Sequence, residues 1–290
     1  MFSGRTSWDR TENRLTRAIE EARGLGRKLV DLTESNPTRA GIANLEPLMA
    51  ELGHPRGAAY EPAPRGHPEA RRAVAGYYRA RGFVVDPERI VLSASTSEAY
   101  AWIFSLLADA EDAVLVPRPS YPLFSWIAAS QKVRLVTYPL QRDAGFRIDM
   151  GELRRSIDER TRAIVLVHPN NPTGSFVRRD EVLELGALAK DHDLALIVDE
   201  VFGDYAFDSL PADALPSFVE VEGGPLTFVL SGLSKVMLLP QCKLGWTVVQ
   251  GPPERVQEAI ARLELIADTY LSVGTPIQLA LAAILEKQHD

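Results

Sequence analysis

The feature that most constrains this 290-residue chain is a repeated alternation of short apolar, β-branched runs with longer stretches of helical period. The runs fall at 89–92, 113–116, 133–136, 163–167, 194–198, 227–230 and 246–249, and helical patterns fit between them at 68–81, 98–107, 178–192 and 254–271. Most runs are apolar throughout rather than alternating, the pattern of strands covered on both faces. This rhythm predicts βαβ units, and therefore an α/β fold whose mostly parallel sheet carries helices on both faces.

The two ends read differently. Residues 8–23 form a charged amphipathic pattern, and Leu29-Val30-Asp31-Leu32 runs into Ser35-Asn36-Pro37, a turn signal. Composition marks no sharp boundary after it. At the other end, 276–288 has a helical pattern that stops without a Gly or Asn cap, which suggests a chain cut short of its natural end.

Composition narrows the partners. With 46% apolar residues and Gly and Pro at 20 each, disordered and collagen-like chains are excluded. A chain of this length buries roughly three quarters of its unfolded surface, enough for one large core. Lys+Arg 32 against Asp+Glu 39 leaves a net charge of −7, and the pI is near 5.4, so general binding to a phosphate backbone is not expected. A lone cysteine, Cys242, excludes an intrachain disulfide and a Cys-rich zinc site and fits a reducing compartment. No metal is expected. Residues 1–6 contain no apolar signal core. The richest apolar stretch, 99–108, starts beside Glu98 and falls short of the about 18 residues that span a bilayer. A soluble cytoplasmic protein, with neither membrane nor nucleic acid as partner, is expected.

In open α/β sheets ligands sit beyond the carboxyl ends of the strands, and four exits carry chemistry. The first, Leu92-Ser93-Ala94-Ser95-Thr96-Ser97-Glu98, ends a strand in small hydroxyl residues where a helix begins. Its free backbone N–H groups suit an anion; plain N-capping is the alternative. The second, His168-Pro169-Asn170-Asn171-Pro172-Thr173-Gly174, holds an Asn amide in a rigid loop, with an Asx turn as the alternative. The third ends in Asp199 and Glu200. A carboxylate at the end of a buried strand needs a partner: a protonated ring nitrogen of a cofactor, or an Arg or backbone N–H. The fourth, Leu230-Ser231-Gly232-Leu233-Ser234-Lys235, sets a lysine just past a strand, ahead of Lys243-Leu244-Gly245-Trp246. Such a lysine forms a Schiff base once desolvation or a neighbouring cation frees its amine; otherwise it is a solvated surface lysine.

Taken together, these strings resemble the class I/II aminotransferases, pyridoxal-phosphate enzymes of fold type I. The resemblance runs from Ser35-Asn36-Pro37 through Trp246 and includes Tyr60 to Gly66, Glu69-Ala70-Arg71, Pro119-Ser120-Tyr121-Pro122 and the four exits in the family's order. It implies a seven-stranded-type sheet in a large pyridoxal 5'-phosphate domain over 46–290. Residues 1–45 then form an arm that belongs to a small domain completed beyond this chain. It implies that Lys235 binds the cofactor covalently and shuttles the substrate α-proton, while Asp199 keeps the pyridine nitrogen protonated so that the ring can act as electron sink. Asn171 is expected on the ring oxygen and Tyr121 on the ring face. Ser95, Thr96 and Ser97 form the phosphate cup, with Lys243 as a further phosphate ligand, and Asn36 is expected at the substrate. Tyr60 is expected to reach the phosphate of the neighbouring subunit's cofactor, which makes the protein a homodimer with shared sites.

Three positions depart from the family pattern. Phe202 replaces a tyrosine that donates to the ring oxygen, Gly232 replaces a phosphate-contacting serine, and Lys243 exchanges an arginine's planar fork for a point charge. The family's arginine clamp for the substrate carboxylate lies in a C-terminal region beyond this chain. The expected activity is transfer of an amino group between an amino acid and a 2-oxo acid. A carbon–sulfur lyase of the same fold, and a cofactor-binding module without catalysis, remain open at this point.

Overall fold

The computed structural model describes residues 1–30, 36–41, 45–207, 209–271 and 273–287. The chain divides into two compact units, Met1–Leu45 and Glu46–Asp290. In the first, the main helix is Arg14–Gly24, with Ile19 and Ala22 half-buried along one face. The helical pattern expected from residue 8 begins only at residue 14, because the Asn13 side chain accepts from the Thr16 N–H and caps the helix there. The run through Asp31-Leu32 to Ser35 lies outside the described residues.

The second unit is built on one sheet. In chain order its strands are β1 (Ile90–Ser93), β2 (Ala113–Arg118), β3 (Arg134–Gln141), β4 (Arg147–Ile148), β5 (Thr161–Val167), β6 (Ala195–Asp199), β7 (Thr227–Gly232) and β8 (Gly245–Gln250). They lie in the order β1-β8-β7-β6-β5-β2-β3-β4. β7, β6, β5, β2 and β3 are mutually parallel, whereas β8 runs antiparallel to both β7 and β1, and β4 antiparallel to β3. All seven expected runs are strands. The eighth, β4, is a two-residue addition at the edge.

Apart from β3 and β4 at one edge, where β3 is mostly exposed or half-buried, the strands are buried on both faces, as their unbroken apolar runs require. Val165, Ile197, Phe228 and Leu230 share one core with the helices Thr96–Leu107, Phe124–Gln131 and Pro253–Tyr270. The alternate residues Ile164, Leu196, Val198 and Val229 are as deeply buried on the opposite face. This parity aims Asp199, two residues past Ile197, toward the face that the Thr96–Leu107 helix covers.

Strand order also sets the crevice. From β2 the chain proceeds outward to β3, while from β5 it proceeds the other way to β6 and β7. The switch point therefore lies between β2 and β5, where loops leaving neighbouring strands diverge. Because β8 is antiparallel, the carboxyl ends of β1, β7, β6, β5 and β2 and the start of β8 all open on one edge. Among the described residues, no helix is long and apolar enough to cross a membrane.

Candidate active site

Asp199 ends β6 and is 6% exposed. Its Oδ1 accepts the Val201 N–H at 3.1 Å and its Oδ2 accepts the Tyr100 hydroxyl at 3.2 Å. Among the described residues it forms no ion pair with Lys, Arg or His. Burial raises its pKa to about 6, and the two hydrogen bonds oppose that rise. Each oxygen keeps a lone pair, so this buried carboxylate has room for one more donor. Of the two partners that the protein itself could supply, a backbone N–H is present and, among the described residues, an arginine is not.

Glu200, next along and 4% exposed, accepts from the Ser217 hydroxyl and the Phe218 N–H, both at 2.7 Å. Burial raises its pKa to about 7. It faces away from its neighbour and anchors the chain around 217–218.

Lys235 lies in the helical turn Leu233–Val236 that follows β7. Its carbonyl accepts the Tyr205 hydroxyl at 3.1 Å, and its Nζ stands 5.4 Å from the centre of the Phe202 ring. Phe202 packs edge-on against Tyr205 at 5.3 Å. The turn after β6 thus borders the lysine from both ends. That turn is tied down by the Asp204 carboxylate, which takes the Tyr77 hydroxyl at 2.9 Å and pairs with Arg81 at 3.2 Å. Phe202 offers a π face to an ammonium, but no donor to an oxygen.

The two loops at the switch point are joined. Asn170 donates its Nδ2 to Thr173 Oγ1 at 2.8 Å and to the Pro119 carbonyl at 3.3 Å, which links the loop carrying Asn171 to the one carrying Tyr121. His168, at the root of the first loop, is 1% exposed; its Nδ1 accepts the Val177 N–H and its Nε2 donates to the Leu215 carbonyl. Burial lowers its pKa to about 4, which leaves it neutral. Tyr121 is half-buried and meets Phe124 edge-on at 5.9 Å. Burial first, and Asp199 second, raise its pKa.

Ser95 caps the helix Thr96–Leu107, its Oγ accepting from Glu98 N–H at 3.1 Å while Glu98 Oε2 accepts from Ala94 N–H at 2.6 Å. This reciprocal cap spares the N–H groups of Thr96 and Ser97, which have no hydrogen-bond partner among the described residues. The start of β8 presses on this terminus: a Cβ on Gly245 would stand 3.2 Å from the Thr96 nitrogen. Lys243, exposed and in the left-handed region at φ 52°, precedes that strand at the same edge. Gly232 pairs with Gly245 across β7 and β8, and a Cβ there would lie 2.9 Å from Gly245 Cα. The departure at 232 is therefore a packing requirement of this chain.

Tyr60 is 78% exposed, in a stretch without regular structure that is secured at its far end by the Leu92 N–H donating to the Arg65 carbonyl. It is not brought to the cluster within its own chain. Asn36 lies in the first unit and caps the helix Pro37–Ala40 through a bond from the Thr38 N–H.

The strand exits thus gather Ser95–Ser97, Tyr121, Asn171, Asp199, Lys235 and Lys243 along one edge. Sequence reasoning overlooked Tyr100 and Asn170. A phenol inside an otherwise apolar helical run was the available signal for the first, since a buried hydroxyl needs a partner. Among the described residues no cluster of His, Cys, Asp and Glu could hold a metal ion.

The donor set fits pyridoxal phosphate. A buried carboxylate without a cation suits a ring N–H⁺, and unpaired helix-start amides on the edge that also carries Lys235 and Lys243 suit a phosphate. Comparison with known proteins agrees. The family described as aminotransferase class I and II matches residues 27–290. The glutamate-pyruvate aminotransferase AlaA of Escherichia coli (strain K12) is 28% identical over 273 residues, covering 92% of this chain and 66% of that protein. The alanine aminotransferase of Mycobacterium tuberculosis (strain ATCC 25618 / H37Rv) is 29% identical over 264 residues, covering 90% of this chain and 61% of that protein. An alanine aminotransferase structure from Pyrococcus furiosus superposes with a TM-score of 0.84 at 26% identity, over 98% of this chain and 72% of that one. The chain spans about two thirds of the length of the curated relatives it matches.

Proposed function

The chain belongs to the class I and II aminotransferases, and on that premise we propose that its second unit binds pyridoxal 5'-phosphate and transfers an amino group between an amino acid and a 2-oxo acid. The observation that carries this reading is the buried Asp199 carboxylate with no cationic partner among the described residues, on the same sheet edge as Lys235.

When bound, the cofactor supplies a conjugated ring that takes up the electron pair released as the substrate Cα–H bond breaks. Asp199 holds a proton on the ring nitrogen. Lys235 would anchor the cofactor through its Nζ and would carry the substrate α-proton at that same atom; its backbone is held for this by Tyr205. Tyr121 stacks on the ring and Asn171 donates to the ring oxygen, a role Phe202 cannot share. Thr96 and Ser97 N–H groups, the Ser95–Ser97 hydroxyls and Lys243 bind the phosphate. Asn36 contacts substrate.

Residues 46–290 are the cofactor-binding domain in this reading and 1–45 an arm of the small domain, with the division between the two compact units in support. The protein is a homodimer in which Tyr60 reaches the phosphate of the partner. The single cysteine supports a reducing, cytoplasmic setting.

The test is a half-reaction. Cofactor-loaded protein mixed with single amino acids, alanine first, is expected to yield one equivalent of 2-oxo acid and the amine form of the cofactor, reversed by adding a 2-oxo acid. Release of ammonia with the cofactor unconverted would instead assign a lyase.

A further inference from the structure

Tyr100 projects from the middle of the helix Thr96–Leu107 and is 1% exposed. Its ring is packed tightly: Phe124 meets it edge-on at 5.0 Å and Phe104 lies at 5.9 Å. Phe124 in turn meets Tyr121 at 5.9 Å. A phenylalanine would serve that packing equally well. The hydroxyl is the only part of the residue that packing leaves unexplained, and it donates to Asp199 Oδ2. A carboxylate on the last residue of a strand turns broadly about its terminal bond. Two donors on opposite oxygens, Val201 N–H and the Tyr100 hydroxyl, stop that rotation.

We infer that Tyr100 is a positioning residue for the proposed cofactor site: its hydroxyl sets the orientation and charge of Asp199, and its ring links that setting through Phe124 to Tyr121. The inference rests on the reading of Asp199 as the ring-nitrogen partner. The hydroxyl favours the ionised carboxylate, which burial otherwise disfavours. The helix that begins at the proposed phosphate cup thereby also supports the far end of the ring. Anion and ring nitrogen are then held by one rigid element, the arrangement that keeps a site preorganised.

Among the described residues, the titratable groups around Asp199 are few. Tyr100 approaches from the helix, Tyr121 from the loop after β2, and Glu200 follows in the chain with its carboxyl turned to Ser217 and Phe218. His168, whose N–H donates to the Asp199 carbonyl, turns its neutral ring to Leu215 and Val177.

The experiment uses cofactor-free protein labelled with ¹³C at the aspartate carboxyl carbons, with the Asp199 resonance assigned from Asp199→Asn. Its titration midpoint in the parent is expected near 6. Tyr100→Phe, which keeps the ring, is expected to raise that midpoint by about one pH unit, a tenfold change in proton affinity. It is also expected to weaken pyridoxal phosphate binding about threefold to tenfold in equilibrium dialysis. An unmoved midpoint in Tyr100→Phe would overturn the inference, even if the variant were less stable. If that variant fails to fold, the Tyr100 phenol carbon is followed in Asp199→Asn, where a shifted resonance is expected and an unchanged one overturns the inference. A parent that binds no pyridoxal phosphate contradicts the proposed function, and does so without touching the carboxyl titration.

Discussion

His168 shows what a single side chain contributes to the site from beneath it. Its ring is buried with both nitrogens engaged; protonation leaves the Nε2 bond to the Leu215 carbonyl but takes away the Nδ1 acceptor, so the loop carrying Asn170 and Asn171 is bound to the segment at 177 only while the imidazole is neutral. Its pKa falls from 6.5 in a model peptide to about 4 in the fold, through desolvation. The native state therefore binds its proton less readily than the unfolded state does. The stability that this group contributes is complete above the unfolded value and is lost as pH falls from about 6.5 to about 4, up to the order of 3 kcal/mol. His168→Gln keeps an acceptor and a donor without the titration. Urea unfolding is expected to show the parent losing more stability than this variant over that window. Parallel losses would mean that the imidazole is not the group concerned. Asp199 and Lys235 were legible in the sequence because strand exits and small neighbours mark them. Tyr100 and Asn170 were not, because each acquires its role from a partner about a hundred or fifty residues away that only the packed sheet brings near.

Short apolar, β-branched runs announce strands, and all seven are strands here. What the sequence concealed at this level was local. β4 is two residues long and exists by pairing with Leu140 and Gln141, too short to carry a period. The helix Phe124–Gln131 is apolar without a clear stripe, and ends where Lys132 turns left-handed at φ 60°. The pattern from residue 8 is helical in composition, yet a capping side chain six residues short of the helix centre overrides it by starting the helix at 14. The paired glycines of β7 and β8 carry a testable consequence. Gly232 stands where a side chain would meet Gly245 Cα at 2.9 Å and the Leu244 carbonyl at 3.0 Å, both backbone atoms that cannot rotate away. Gly232→Ala is expected to cost about 1–3 kcal/mol, the range for forcing extra volume into a packed site. It is also expected to weaken cofactor binding, since β8 abuts the Ser95–Thr96 backbone. Unchanged thermal unfolding in that variant would show that the two strands have room to part.

At the scale of the whole molecule, Tyr60 stands free of its own core. A phenol that is 78% exposed in a Pro-rich stretch has no packing role within one chain. Across a two-fold axis it would serve two identical sites at once. Sedimentation is expected to show a homodimer, and Tyr60→Phe to weaken pyridoxal phosphate binding by about 1–2 kcal/mol, the scale of one hydrogen bond to a charged group. A monomer with full affinity, indifferent to the substitution, would place the whole site within one chain. The central claim, that the strand exits form a pyridoxal phosphate site with Lys235 as its covalent anchor, is tested most directly by borohydride reduction. Protein mixed with the cofactor, reduced and digested is expected to carry the pyridoxyl label on the peptide containing Ser234 and Lys235, and to lose it in Lys235→Ala. A label on another lysine, or none, would contradict the account.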